Sequence, residues 1–216
     1  MTRSRREPSA RVGRRPSTSK EELAAIGIEL FMDVGFDETS IDDIAEAAGI
    51  ARRTFFRYFP SKNELAWGDF DKHLADMRAS LESIPENVPL SEALTTALHD
   101  FNRFPESEAE RHRARMQLIL HTPALQGYSS VMYRGWRQVV ADFVARRIGA
   151  GPDDPVPRTC GYLLLGVAIA AYESWLDEPA SDLHDYLAAG MRTLTSGLDY
   201  SDPTSPSELS NKGDSP

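Results

Sequence analysis

A glycine set between two short helical patterns is the feature that most constrains this chain. The stretch from Thr39 to Lys62 reads TSIDDIAEAAGIARRTFFRYFPSK. Ile41, Ile44, Ala45 and Ala48 recur at the spacings that place side chains on one face of a helix, and that face is expected to be core. Thr39 and Ser40 are N-cap candidates, with Asp42 and Asp43 following each at capping-box distance, so the helix should start near Ser40. Gly49 falls where the chain can end a helix in a left-handed turn, which costs glycine nothing and a residue with a β-carbon about 1–2 kcal/mol. A second helix is expected from about Ala51 to Tyr58. Thr54 and Phe55 are spaced to pack back on the first helix, leaving Arg52, Arg53, Phe56, Arg57 and Tyr58 toward solvent.

A B-DNA major groove admits one such helix, and arginine pairs bidentately with guanine. Helix, glycine, helix is also common in all-α proteins that bind no nucleic acid. The DNA-facing reading is favoured by the arginines at the front of the second helix and by the aromatic pair beside them. Ser61 with Glu64 opens a further helix at once, and amides there, beside Lys62, would suit a backbone phosphate.

The segment ELFMDVGFDETSIDDIAEAAGIARRTFFRYFPSKNEL resembles the DNA-binding head of the TetR family of one-component regulators, over roughly Glu22 to Leu65. It departs from the common pattern at Arg53, where a small or polar residue is usual, and at Phe56, where tyrosine is frequent. The resemblance implies an all-α protein of about nine helices, with recognition helices spaced one DNA turn apart on a pseudo-palindromic operator. An N-terminal three-helix helix-turn-helix DNA-binding domain would precede a C-terminal helical ligand-binding and dimerisation domain. It further implies a homodimer, and repression relieved by a small-molecule effector. WGDFDKHL, FNRFP, ERHRARMQLILHTPALQGYS, MYRGWR and AAYESWL look like the TetR-type regulators associated with mycofactocin biosynthesis. That likeness implies an operator near the genes for this peptide-derived redox cofactor, an actinobacterial host, and an apolar or acyl-coenzyme A effector.

The chain has 216 residues, enough for one or two domains with a core of their own. Its single cysteine, Cys160, excludes an internal disulfide and a CxxC motif, and the cytoplasm is the natural compartment. Net charge is −9, yet residues 1–20 carry seven cations against one anion. A basic arm on an acidic body suggests one end that faces a polyanion. The arm, residues 1–17, has no apolar period and is expected to be disordered when free, following DNA through Arg14 and Arg15 or merely solubilising the chain. The candidate DNA contacts are therefore Arg14, Arg15, Thr39, Arg52, Arg53, Thr54, Phe56, Arg57, Tyr58 and Lys62.

Thr18 with Glu21 suggests a capping box for a helix carrying Leu23, Ile26, Ile28, Leu30 and Phe31 and ending at Val34–Gly35, with Phe36 tucked under the head. The DNA-binding domain is set at 18–64 and the effector and dimerisation domain at 65–198. From Ser61 one long helix is expected through Trp67, Phe70, Leu74, Met77 and Leu81, mechanically linking head and body. A capped start at Ser91 leads to Phe101 and Phe104, and a helix from about Ser107 to His121 places Arg111, His112, Arg113 and Arg115 together. This cluster is an anion site or, the favoured reading, a solvated face. A further helix runs from Pro123 to Gly149 with Tyr133 and Trp136. Trp67, Phe70, Phe101, Arg111, Arg115, Met116, Tyr133 and Trp136 are the ligand-binding candidates, with aromatic stripes of this kind suiting an apolar pocket and a plain core equally well.

PRTCGYLLLGVAIAAYESWLDEP is apolar nearly all round and must be covered on several sides, as a second copy of the chain would do. A dimer through this helix and the one from Leu183 to Leu198 is expected as a four-helix bundle, using Gly161, Leu165, Gly166, Ala170, Tyr186 and Gly190. The apolar run Tyr162–Ala171 is too short to span a bilayer, so no membrane insertion is expected. Residues 199–216 should be a flexible tail. No cofactor or metal is expected: there is no Gly-x-Ser-x-Gly elbow, no His-Glu-x-x-His and no glycine-rich phosphate loop, and the five histidines are scattered. An architectural DNA-binding protein remains the alternative, with an all-α enzyme behind it.

Overall fold

A computed structural model describes residues 18–197, and its described elements are ten α-helices and one short 3-10 turn. Arg14, Arg15 and the proposed arm and tail lie outside the described residues. The chain divides into two compact units between Gly68 and Asp69.

The first unit holds α1 (Lys20–Asp33), α2 (Ile41–Ala47), α3 (Arg52–Tyr58) and α4 (Lys62–Trp67). The capping box of α1 sits one residue later than the sequence suggested: the Ser19 hydroxyl accepts from the Glu22 amide at 3.0 Å and the Glu22 carboxylate from the Ser19 amide at 3.0 Å. Ser19 is the residue in the extended conformation a cap requires, with φ −89° and ψ 168°. Ser40 and Asp43 form the box of α2, with amide bonds of 3.2 Å and 2.8 Å. The paired Ser40 donors also hold the Asp43 carboxyl below its ordinary pKa. Gly49 turns the chain at φ 62°. Ile44, Phe55, Phe59 and Leu65 are completely enclosed between these helices. Burial of each such side chain contributes about 1.5–3 kcal/mol. Phe36 is buried with its ring 4.8 Å from that of Phe31.

The long helix expected from Ser61 to Leu81 is two helices. α4 ends at Gly68, whose φ of 66° and ψ of −144° lie outside any helix, and α5 (Phe70–Ser83) starts beyond Asp69. Trp67 and Phe70 keep helical spacing across the break, so periodicity reads straight through it, while glycine alone adopts the broken conformation without steric cost.

The second unit continues with α6 (Leu90–Phe101), α7 (Ala109–His121), α8 (Pro123–Ile148), α9 (Pro155–Asp177) and α10 (Leu183–Ser196). Pro89, at φ −54° and ψ 142°, occupies the N-cap of α6, so Ser91 lies inside the first turn and caps nothing. The long α8 packs against α5, α7 and α9, while α10 covers α9 and touches α6. Val140, Val144, Leu164 and Leu187 are fully buried at these contacts. Arg147, near the end of α8, donates to the carbonyls of Pro85 and Val88 and fastens the loop between α5 and α6.

The small residues of α9 and α10 divide by face, which corrects the expected dimer surface. A β-carbon on Gly161 would stand 2.9 Å from the Arg137 carbonyl of α8, and one on Gly190 would stand 2.7 Å from Val167 of α9. Both glycines serve close packing within one chain, and Leu165 is likewise buried there. Gly166 has open space around it, and Ala170, Tyr162 and Leu163 are exposed with it, while Tyr186 is half-buried. The 23-residue α9 is also long and apolar enough to cross a membrane by length and composition, contrary to the shorter run read from sequence. In this unit α8 and α10 cover part of it, and Tyr162 and Leu163 on its remaining side stay exposed.

Candidate functional site

The first unit presents α3 as its cationic face. Arg52, Arg53, Phe56 and Arg57 are exposed and Thr54 is half-buried. They are exposed because Phe55 and Phe59 face the core at 0% exposure and fix the rotation of the helix. Arg52 is held by Asp42 of α2 at 2.5 Å and lies 5.6 Å over the Phe56 ring. Arg57 lies 5.4 Å over Tyr58. Arg53 has no hydrogen bond or ion pair among the described residues, so its five N–H donors remain available to a base edge.

Three expected DNA contacts hydrogen-bond to backbone carbonyls of the head. The Thr39 side chain is 2% exposed and its hydroxyl donates to the Gly35 carbonyl at 2.7 Å. The Tyr58 hydroxyl donates to the Thr18 carbonyl at 2.6 Å, tying α3 to the start of α1. The Lys62 ammonium donates to the carbonyls of Phe36 at 2.6 Å and Thr39 at 3.1 Å, and lies 4.4 Å over the Phe36 ring. Such carbonyls attract a cation because the end of a helix and the loop after it leave them without amide partners. Of the amides at the start of α4, that of Glu64 is taken by the Ser61 hydroxyl at 3.2 Å. Sequence spacing showed where these side chains lie along the chain but not that a backbone oxygen waits within their reach.

In the second unit the face of α7 expected to be solvated is half-buried at His112, Arg113 and Arg115. Arg111 alone of the cluster stays at the surface, bridged to Glu108 at 3.1 Å. Arg113 donates to the Trp175 carbonyl and lies 3.8 Å over the Trp175 ring. The His112 ring stacks on Phe104 at 4.2 Å, and its Nε2 is 2.8 Å from the Tyr172 hydroxyl. That hydroxyl donates to Asn102 Oδ1 at 2.8 Å, and Asn102 Nδ2 donates to the Leu98 carbonyl at 2.7 Å. The backbone carbonyl fixes the direction of the whole chain. With the Tyr172 hydrogen committed to Asn102, His112 Nε2 must be the donor and His112 Nδ1 carries the lone pair. Burial, then the neighbouring Arg115 and His73, lower the His112 pKa to about 3, so its imidazole is neutral. Burial likewise raises the Tyr172 phenol.

Arg115 is the remaining member. Its Nε is fully buried and has no hydrogen-bond partner. Burial and then Arg111 depress its pKa, opposed by Glu108. Of the other candidates, Phe70, Phe101 and Trp136 meet edge to face in one chain, at 6.2 and 6.0 Å between centroids. Tyr133, raised in pKa by burial, and Met116 are half-buried on α8 and α7. Trp67 belongs to the core of the first unit, where it is 5% exposed, and so is not among the residues this unit gathers. Sequence reasoning missed Asn102, Tyr172 and His73. The near-continuous apolar run around Tyr172 hid the one hydroxyl that organises the polar chain.

A compact helical head with an exposed cationic helix, followed by a separate helical unit with an enclosed polar cluster, defines a one-component helix-turn-helix regulator. The model for bacterial regulatory proteins of the TetR family matches residues 23–66, and that for the MftR C-terminal domain matches residues 88–199. The chain belongs to the TetR family of transcriptional regulators, and its C-terminal half belongs with that of MftR. It is 50% identical, over 88% of its length and 96% of the relative's, to a Mycobacterium tuberculosis protein named as the mycofactocin biosynthesis transcriptional regulator MftR. It is 28% identical to the regulator TcmR of Streptomyces glaucescens, over 76% of each chain. The fold is shared with Thermus thermophilus FadR, a TetR-family repressor in complex with lauroyl-CoA, at TM-score 0.55 and 22% identity over 88% of this chain and all of that one. It is shared also with Bacillus subtilis FadR in complex with stearoyl-CoA, at TM-score 0.60 and 14% identity over 83% and 99%.

Proposed function

We propose that this regulator is a ligand-released repressor that binds a pseudo-palindromic operator as a homodimer, near mycofactocin biosynthesis genes. The observation that carries the reading is the outward face of α3, where Arg53 is exposed and unpaired between two further arginines. Two copies of that helix, one DNA turn apart, would read the half-sites of such an operator. The exposed strip of α9, with Tyr162, Leu163, Gly166 and Ala170, supports a second copy as its cover. The 50% identity to MftR supports the operator's location. The acyl-CoA bound by two regulators of the same fold supports an apolar acyl thioester as effector. Such an effector releases DNA only if it binds the released arrangement more tightly than the DNA-bound one.

The test is footprinting and anisotropy titration on DNA flanking the chain's own gene, with and without candidate acyl thioesters. Arg53→Ala should weaken specific binding by about 1–3 kcal/mol and relax preference at one base pair of each half-site. If Arg53→Ala binds as the parent does, or if the parent binds operator and competitor DNA alike, the reading is wrong.

A further inference from the structure

We infer that His99 and His184 form a proton-sharing latch between α6 and α10, closed while the pair carries no charge or one, and opened when acid charges both rings. Nδ1 of His99 lies 2.9 Å from Nδ1 of His184, with the ring planes 11° apart and the centroids 5.1 Å apart. The two residues are 85 positions apart in sequence, and both are half-buried. A neutral imidazole has one N–H and one lone pair, so at that distance one Nδ1 must donate and the other accept. The two rings are therefore in opposite tautomers. One carries its hydrogen on Nδ1 and the other on Nε2.

A first proton taken from water goes to the outer Nε2 of the donor ring and leaves the bond in place, now charge-assisted. A second can reach only the accepting Nδ1, which sets N–H against N–H and two like charges side by side. The surroundings do not relieve that repulsion. Burial first, then His184, hold His99 below its ordinary pKa; Asp100 opposes this, Arg103 adds to it and Asp182 opposes it. These are the charged groups of α6 and of the start of α10 that act on His99. Asp100 is bridged to Arg103 at 3.1 Å, and Asp182 Oδ1 accepts from the His184 amide at 2.9 Å as the cap of α10. His184 stands in the first turn of α10, at the positive end of its dipole, where a further charge is disfavoured. Because α10 packs on both α6 and α9, the latch fixes the start of a helix that covers two others.

The experiment uses the full chain and its His184→Gln and His99→Gln variants, whose amides can keep a hydrogen bond but do not titrate. Nitrogen NMR of the parent at about pH 7.5 should show scalar coupling between the two Nδ1 nuclei through the shared hydrogen. On acidification the two imidazoles should titrate in steps at least about 2 pH units apart, with the coupling lost in the second. Each glutamine variant should show a single step for the remaining ring. Amide exchange in the first two turns of α10 reports the opening, and comparing parent with variant at one pH cancels the intrinsic chemistry of exchange. The rates should agree within about twofold at about pH 7.5, and the parent should exchange on the order of 10-fold faster at about pH 4.5. The inference is overturned if the coupling is absent at about pH 7.5, or if both rings titrate together at about 6.5. It is overturned equally if the ratio of exchange rates does not change with pH in either variant.

Discussion

Acidification should unfold this protein through one histidine. His112 is held neutral in the native state with its pKa lowered to about 3, by burial first and then by Arg115 and His73. An unfolded histidine titrates near 6.5, so below that value the unfolded chain takes a proton that the native one refuses. The contribution of His112 is therefore complete above about pH 6.5 and is lost as pH falls from there toward 3. At about pH 4.5 the unfolded imidazole is almost fully protonated and the native one almost not at all, which removes about 2.5 kcal/mol. The perturbation is His112→Gln, whose side-chain amide can still donate to the Tyr172 hydroxyl but does not titrate. Urea unfolding of parent and variant at about pH 7.5 and 4.5 gives a double difference in which other titrating groups cancel. The parent should lose about 2.5 kcal/mol more than His112→Gln over that interval. An equal loss in both proteins would refute the reasoning, since it would mean that the native imidazole accepts the proton where it sits.

Lys62→Met should lower stability by about 1.5–3 kcal/mol, because it strands the Phe36 and Thr39 carbonyls. The salt dependence of DNA binding should keep its slope, measured at temperatures where the variant is folded; a slope reduced by about 0.9 would show that Lys62 contacts a phosphate instead. Gly161→Ala should cost about 1–3 kcal/mol in urea unfolding, because its β-carbon meets backbone of α8 that can move only by parting the helices. A β-carbon on Gly166 meets nothing within its own chain, so Gly166→Arg should leave the monomer folded and shift sedimentation from dimer toward monomer.

Much of the head was legible because its determinants are local. A serine with an aspartate three residues on caps its own helix, and a glycine at φ 62° closes it, with no help from distant residues. The exposed arginines of α3 follow from Phe55 facing inward, since one buried side chain fixes the rotation of a seven-residue helix. The break at Gly68 was harder, because apolar spacing continues across it and a lone glycine inside a helical pattern is often tolerated.

What the sequence by itself determined is the order of most helices, the capping box of α2 and the exposed cationic face of α3, all consequences of interactions within a turn or two of chain. Tertiary structure alone decided which small residues of α9 and α10 face a neighbouring helix and which face outward. It alone drew His112 into a polar chain on a helix that reads as solvated, because α9 arrives from some sixty residues away to place Tyr172 against His112. Periodicity gives a side chain its direction from the helix axis. Only the packed neighbours decide whether that direction leads to water, to a carbonyl or to another ring.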